Sequence, residues 1–268
     1  MAAYIPFAGK NSIVEVVFGL IFAQPLVSTI DNQFDALKAA FIGDFPSFEK
    51  MQMIQMTFGP QSDAGILPSA SVVGINAIRF KPDGKPSRVF RGVNNTLSVH
   101  FLEYENWAET KAKGLEFLLR CVRLLSVPSD QNSITGITLR FIDRFTFDGP
   151  TEAASAAPLL RSNTEFVPQH ILNVGSTWNS NAAWQDLLMD QQAAQHQLSV
   201  NGGVDTNAFV MINHNVHCNL ASPLVSLEEM KGPTKPTLEK IFDAEHKANV
   251  ALLKNLVEDK TLNIIGLS

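Results

Sequence analysis

Four groups of side chains in this chain are of types and spacings that could do chemistry. The first joins Glu15, inside the apolar run Ile13-Val14-Glu15-Val16-Val17-Phe18, to Arg140 and Arg144, inside Leu139-Arg140-Phe141-Ile142-Asp143-Arg144-Phe145. A charge in a buried strand is costly unless it is paired. If the two segments are neighbours, Glu15 meets an arginine across the ladder. Such a pair fixes strand register or lines a charged pocket. The second group is His100 and Tyr104, at a strand end and in the loop after it, where a general acid or base could act. The third is a basic hairpin carrying Arg79, Lys81, Lys85, Arg88 and Arg91, with Phe80, Phe90 and Phe101 interleaved. It reads as a charged sheet edge that discourages pairing, or as an anion or RNA contact with stacking rings. The fourth is His214, His217 and Cys218. In a strand, His214 and Cys218 share a face and His217 points the other way, so the three do not converge on a metal.

Other chemistries lack their signatures. There is no Gly-x-Ser-x-Gly elbow, phosphate loop, dinucleotide fingerprint or His-Glu-x-x-His. Gly-Pro-Thr-Lys within Lys231–Lys235 has the wrong glycine spacing for a phosphate loop. No cofactor, nucleotide or metal is expected.

The elements that must position these residues follow from periodicity. Ile13 to Phe22 is apolar on both alternating faces, as in a central strand covered on both sides. Pro25 opens a helix with Val27, Ile30, Phe34, Leu37 and Phe41 on one stripe. Met51 to Phe58 reads as a strand and Gly59 to Ser71 as a loop. Ile75–Lys81 and Arg88–Gly92 flank a Pro-Asp-Gly turn, and Thr96–Phe101 follows Asn94-Asn95, giving a meander. A helix from Trp107 to Leu125 precedes a strand from Ile137 to Phe147. Gly149 to Pro158 is the best boundary. Beyond it, Trp184–Gln192 and His196–Val200 look like a hairpin and Ala208–Leu220 like a further strand. Gly232 to Pro236 breaks the chain before a terminal helix over 237–258, with Leu238, Ile241, Phe242, Glu245, Asn249, Leu252, Leu253 and Leu256 on one side.

The implied fold class is α+β, in two parts. Residues 1–148 would form a ferredoxin-like module with an extra hairpin. Residues 149–268 would form an antiparallel sheet backed by one long C-terminal helix. Hydrophobic residues at 45%, charged residues at 18% and a net charge of -5 suit a globular chain and disfavour non-specific capture by nucleic acid or an anionic membrane. Cys121 and Cys218 are too few for a secreted disulfide scaffold. Met1 to Lys10 lacks the pattern of a secretory leader, and Ile13 to Phe22 is too short to span a bilayer. The expected location is cytoplasmic.

The run Ile13–Phe22, the meander ending Leu97-Ser98-Val99-His100, Trp107 opening a helix, Leu139-Arg140-Phe141-Ile142-Asp143-Arg144 and a final helix with Glu245-His246-Lys247-Ala248-Asn249 occur in this order. Together they resemble a sporadically distributed, uncharacterised bacterial family of about this length. The family carries no settled activity. Its members place two acids in the strand before the final helix, where this chain has Asn213 and Asn215. Its patchy distribution implies a defence or toxin–antitoxin setting.

Core-forming pattern outweighs convergent chemistry, so the expected function is non-enzymatic binding or assembly with a protein partner or a second copy. The alternative is RNA binding, or metal-independent RNA cleavage, by the basic hairpin and His100.

Overall fold

The computed structural model describes residues 3–56, 68–129, 132–189, 192–226 and 238–267. Its strands are β1 (Ala3–Pro6), β2 (Ile13–Phe22), β3 (Ser47–Met56), β4 (Pro68–Phe80), β5 (Pro86–Val93), β6 (Thr96–Phe101), β7 (Ile134–Asp148), β8 (Trp178–Leu187), β9 (Ala193–Val204) and β10 (Ala208–Leu224). They form a single ten-stranded sheet in the order β3-β4-β5-β6-β2-β7-β10-β9-β8, with β1 beside the end of β7. Every described pairing is antiparallel. The helices are α1 (Val27–Asn32), α2 (Phe34–Phe41), α3 (Trp107–Leu124), α4 (Leu238–Leu256) and α5 (Asp259–Ile264). Helices α1, α3 and α4 pack on one face of the sheet, α2 lies on α3, and α5 contacts α4 and β1.

This corrects the α+β, ferredoxin-like expectation. A ferredoxin-like path would bring the strand after the first helix back to within one strand of β2. Here β3 lies at the far edge, and β4, β5 and β6 walk back to β2 through hairpin connections. Short connections between sequential strands favour such a walk. The strands after residue 148 build no second sheet, because β10, β9 and β8 extend the first one from the free side of β7. The C-terminal helix is not one rod either, since α4 and α5 are separate. The single helix expected over Val27–Phe41 is likewise two, parted at Gln33 with φ -101 and ψ 10. The loop expected over Gly59–Ser71 is cut short, because β4 already begins at Pro68; its residues 59–67, the break at 232–236 and the Lys231–Lys235 segment lie outside the described residues.

The adjacency expected of the Glu15 and Arg140 segments is present. β2 pairs with β7, with Val17 opposite Arg140 and Phe18 opposite Leu139. Register then sorts side chains by face. Val16, Phe18, Leu20 and Phe22 join Leu139 and Phe141 in the core beneath the helices. Phe18 is its hub, stacked on Trp107 and edge-on to Phe101 and Phe242. Burying an aromatic or aliphatic side chain this fully contributes about 1.5–3 kcal/mol. A second cluster joins Phe145, Phe147, Val210 and Ile212 to Leu252, Leu253 and Leu256 of α4. Asn106 starts α3 by accepting a hydrogen bond from the Glu109 amide at 2.9 Å.

One buried group opposes this packing. Glu245 of α4 is fully buried, and neither carboxyl oxygen has a hydrogen-bond partner. Burial holds its pKa well above the usual 4.5. The folded chain therefore keeps a proton that the unfolded chain loses above pH 4.5, and stability falls as pH rises through that window. Glu245→Met is expected to raise stability at neutral pH by about 1–3 kcal/mol and to flatten this slope, as read by urea denaturation across a pH series.

Candidate functional site

All the packed helices lie on one side, and among the described residues no helix covers the opposite, open face of the sheet. Residues paired across strands share a face. One register row on the open face sets Glu49 opposite Asn76, Asn76 opposite Arg91, Arg91 opposite Ser98, Ser98 opposite Gly19, Gly19 opposite Thr138, and Thr138 opposite His217. A neighbouring row sets Val17 opposite Arg140, Arg140 opposite Asn215, and Asn215 opposite Gln197. The face is polar because β8, β9 and β10 alternate: Asn181, Gln197, Ser199, Asn213, Asn215 and His217 point outward, and Leu198, Val200, Ile212 and Val216 point inward.

This face holds a groove of about 730 Å³ over β7, β10, β9 and β8. Arg140, Asn181, Gln197, Asn213, Asn215 and His217 are among its lining residues. The Arg140 Nε donates to Asn213 Oδ1 at 2.8 Å, and Thr138 Oγ1 donates to Asn215 Oδ1 at 2.8 Å. These bonds hold the amides at fixed angles. They leave the remaining guanidinium N–H groups of Arg140 without a partner among the described residues. Gly19 keeps the β2 crossing low, because a Cβ there would meet Thr138 Cγ2 at 2.5 Å.

Beside the groove, Glu15, His100 and Ser98 form a hydrogen-bonded chain. Glu15 Oε1 lies 2.6 Å from His100 Nδ1, and His100 Nε2 lies 3.1 Å from Ser98 Oγ. Burial pushes the Glu15 carboxyl up, but the His100 bond and the nearby charges of His100, Arg140 and Arg91 outweigh it and leave the pKa lowered. An ionised Glu15 accepts a hydrogen bond from His100 Nδ1–H, and in the neutral ring Nε2 then accepts from the Ser98 hydroxyl. That is the tautomer a general base needs.

The residues singled out in the sequence are thus partly brought together. Glu15, His100, Arg91 and Arg140 share the open face. The partner of Glu15 is His100 rather than an arginine, because β6 flanks β2 on the side away from β7. Arg144 pairs instead with Asp205 at 2.5 Å and covers the Phe209 ring. Tyr104 sits on the helix side with Trp107, so it and His100 do not form one site. The basic hairpin does not gather its charges. Arg79 bonds the Gly43 and Asp44 carbonyls, and Lys81 pairs with Glu103. Lys85 lies 3.9 Å from Asp83. Arg88 lies over Phe101 and Phe117 on the helix side, and Arg91 bonds Asn76 on the open face. His214 and Cys218 face inward and His217 outward. His214 bonds His196 at 3.0 Å and Asn249 at 2.9 Å. Among the described residues no cluster of three or more His, Cys, Asp or Glu side chains could hold a metal ion. Ser98, Asn181, Gln197 and Ser199 are additions from the structure, and the outward Asn, Gln and Ser of β8–β10 are the signal that could have found most of them.

No protein-family model matches the chain, and no curated protein matches it. Among solved structures, the crystal structure of the di-domain ARO/CYC BexL from the BE-7585A biosynthetic pathway is similar over 94% of this chain and 97% of its own. Its identity is 11% and its TM-score 0.21, so it supports no argument about this protein. No described helix is long and apolar enough to cross a membrane.

The Glu15–His100 bond sets a testable pH dependence. The Glu15 pKa is depressed on folding, so its stabilisation is present above pH 4.5 and lost as pH falls through the lower folded value. His100→Ala is expected to cost roughly 1.5–3 kcal/mol at neutral pH and to move that acid loss upward, as read by denaturant titration at several pH values.

Proposed function

We propose that this protein is a non-catalytic binding protein whose open sheet face receives an extended polypeptide of a partner. One observation carries the reading: a groove of about 730 Å³ on an uncovered sheet, walled by carboxamides around a half-committed arginine. Asn181, Gln197, Asn213 and Asn215 each carry a donor and an acceptor, as a peptide group does. Arg140 suits a carboxylate side chain of the same segment. An RNA strand is disfavoured, because the basic hairpin residues are divided between two faces and engaged by the chain itself.

An array of short acidic and neutral peptides tests this. Capture of a subset of acidic peptides is expected, weakened roughly tenfold by Arg140→Ala and by Asn215→Leu. A dimer in native mass spectrometry that Arg140→Ala disperses would name a second copy as the occupant. No capture and a strictly monomeric mass would sink the proposal.

The Ser98–His100–Glu15 chain favours a second reading, acyl transfer. Ser98 Oγ would attack an ester carbonyl while His100 Nε2 takes its proton. That proton would then pass to the departing alcohol as the acyl–oxygen bond breaks, and water would release the acid. It ranks second because Ser98 lies within a strand laddered on both sides, so Arg91 would have to receive the oxyanion charge. A fluorophosphonate probe should label Ser98 in the wild type and not in His100→Ala. Absence of labelling ends this reading.

A further inference from the structure

A separate cavity of about 260 Å³ lies on the helix side, where the start of β2, the start of α3 and the middle of α4 meet. Asp143 lines it. This carboxylate is 1% exposed; Oδ1 accepts from Ser12 Oγ at 2.6 Å, while Oδ2 has no partner. No salt bridge among the described residues reaches it. A buried carboxylate oxygen left unsatisfied is a cost that a bound donor removes. The lining also holds a pair of stacked rings. Trp107 stacks on His246 with ring centroids 4.2 Å apart and planes 13° from parallel, and Trp107 Nε1 is fixed by donation to Asp243 at 2.7 Å. His246 Nδ1 is also buried without a partner.

From this juxtaposition we infer that the cavity binds a small organic amine, its ammonium on Asp143 Oδ2 and its body against Trp107 and His246. A carboxylate ligand would meet the Asp143 charge, whereas an ammonium supplies donors and charge together. The volume lies below the roughly 300–1,000 Å³ of ordinary small-molecule sites, so the ligand is no larger than a single ring with a short arm. The site is on the opposite side of the sheet from the groove and does not depend on the groove's role.

Burial raises the Asp143 pKa to about 6, with the Ser12 bond opposing. Lys10, Tyr104, Glu105 and His246 are the other titratable groups around the cavity. Of these, the Tyr104 phenol is raised to about 12 and the His246 imidazole lowered to about 4, each mainly by burial. Amine affinity should therefore weaken as pH falls below about 6.

Calorimetric titration of the full chain with benzylamine, and with its neutral isostere benzyl alcohol, tests the inference. Benzylamine is expected to bind at a single site, with benzyl alcohol and the Asp143→Asn variant each weaker by at least about tenfold. Asp143→Asn removes a half-satisfied buried charge, so its fold should survive, which its denaturation midpoint checks. Carbon NMR titration of the Asp143 carboxyl gives a readout independent of any variant: benzylamine should lower its pKa. Equal binding of amine and alcohol, unchanged binding by Asp143→Asn, or no binding by either compound overturns the inference, the last assigning Oδ2 to water alone.

Discussion

Strand β7 is the constraint on which the rest of the molecule depends. Its 15 residues pair with β2 and β1 on one side and β10 on the other. It joins the strands made before residue 148 to those made after it. It also alternates without interruption from Leu139 to Phe145, sending Leu139, Phe141, Asp143 and Phe145 under the helices and Arg140, Ile142 and Arg144 to the open face. A slip of one residue would exchange those sets and bury two arginines. The apolar set fixes the register, and the register places Arg140 over the groove and Asp143 in the cavity. Both candidate sites are therefore consequences of one pairing.

The core tolerates a few polar groups, and several of them gather under α4. Glu245, Asn249 and His246 come from the helix, and Asp143, His196 and His214 from the sheet. Their burial is compensated unevenly. His196, His214 and Asn249 are joined in a run of hydrogen bonds that starts at Asp186 on β8. Trp184 stacks over both imidazoles of that run. Glu245 and one oxygen of Asp143 are uncompensated. A core optimised for stability alone would not retain them. That Asp143 also borders a cavity, while Glu245 does not line one of the described cavities, separates a group placed for a ligand from a group that merely costs stability.

The sequence was informative where the cause is local. The stripe over α4 is legible residue by residue, from Leu238 to Leu256, since helical spacing alone sets it. Two polar members of that stripe, Glu245 and Asn249, are equally legible, although spacing does not reveal what they meet. The β5–β6 turn is legible from Asn94-Asn95, and α3 starts at Trp107 as expected, although its Asn106 cap is not among the expected features. The sheet order is not, because it depends on which edge a strand finds after a long excursion. Glu15 and His100 stand 85 residues apart and meet only because the β3–β6 walk ends beside β2. An arginine looked the better partner for Glu15 because charge is visible in a sequence and strand order is not. Ser98 and His100 sit two apart on a strand, a common spacing that acquires meaning only when Glu15 arrives to orient the ring.

The two faces of the sheet are linked through the strands that separate them. Asn213 and Asn215 line the groove, and His214 between them points into the core, where it bonds Asn249 at the wall of the small cavity. The oxygen of Asn249 faces His214 Nδ1 at 2.9 Å, so Nδ1 carries the proton and Nε2 is left to accept from His196. The same β10 backbone carries Asn213 and Asn215, so the groove floor can shift only with the strand that holds His214.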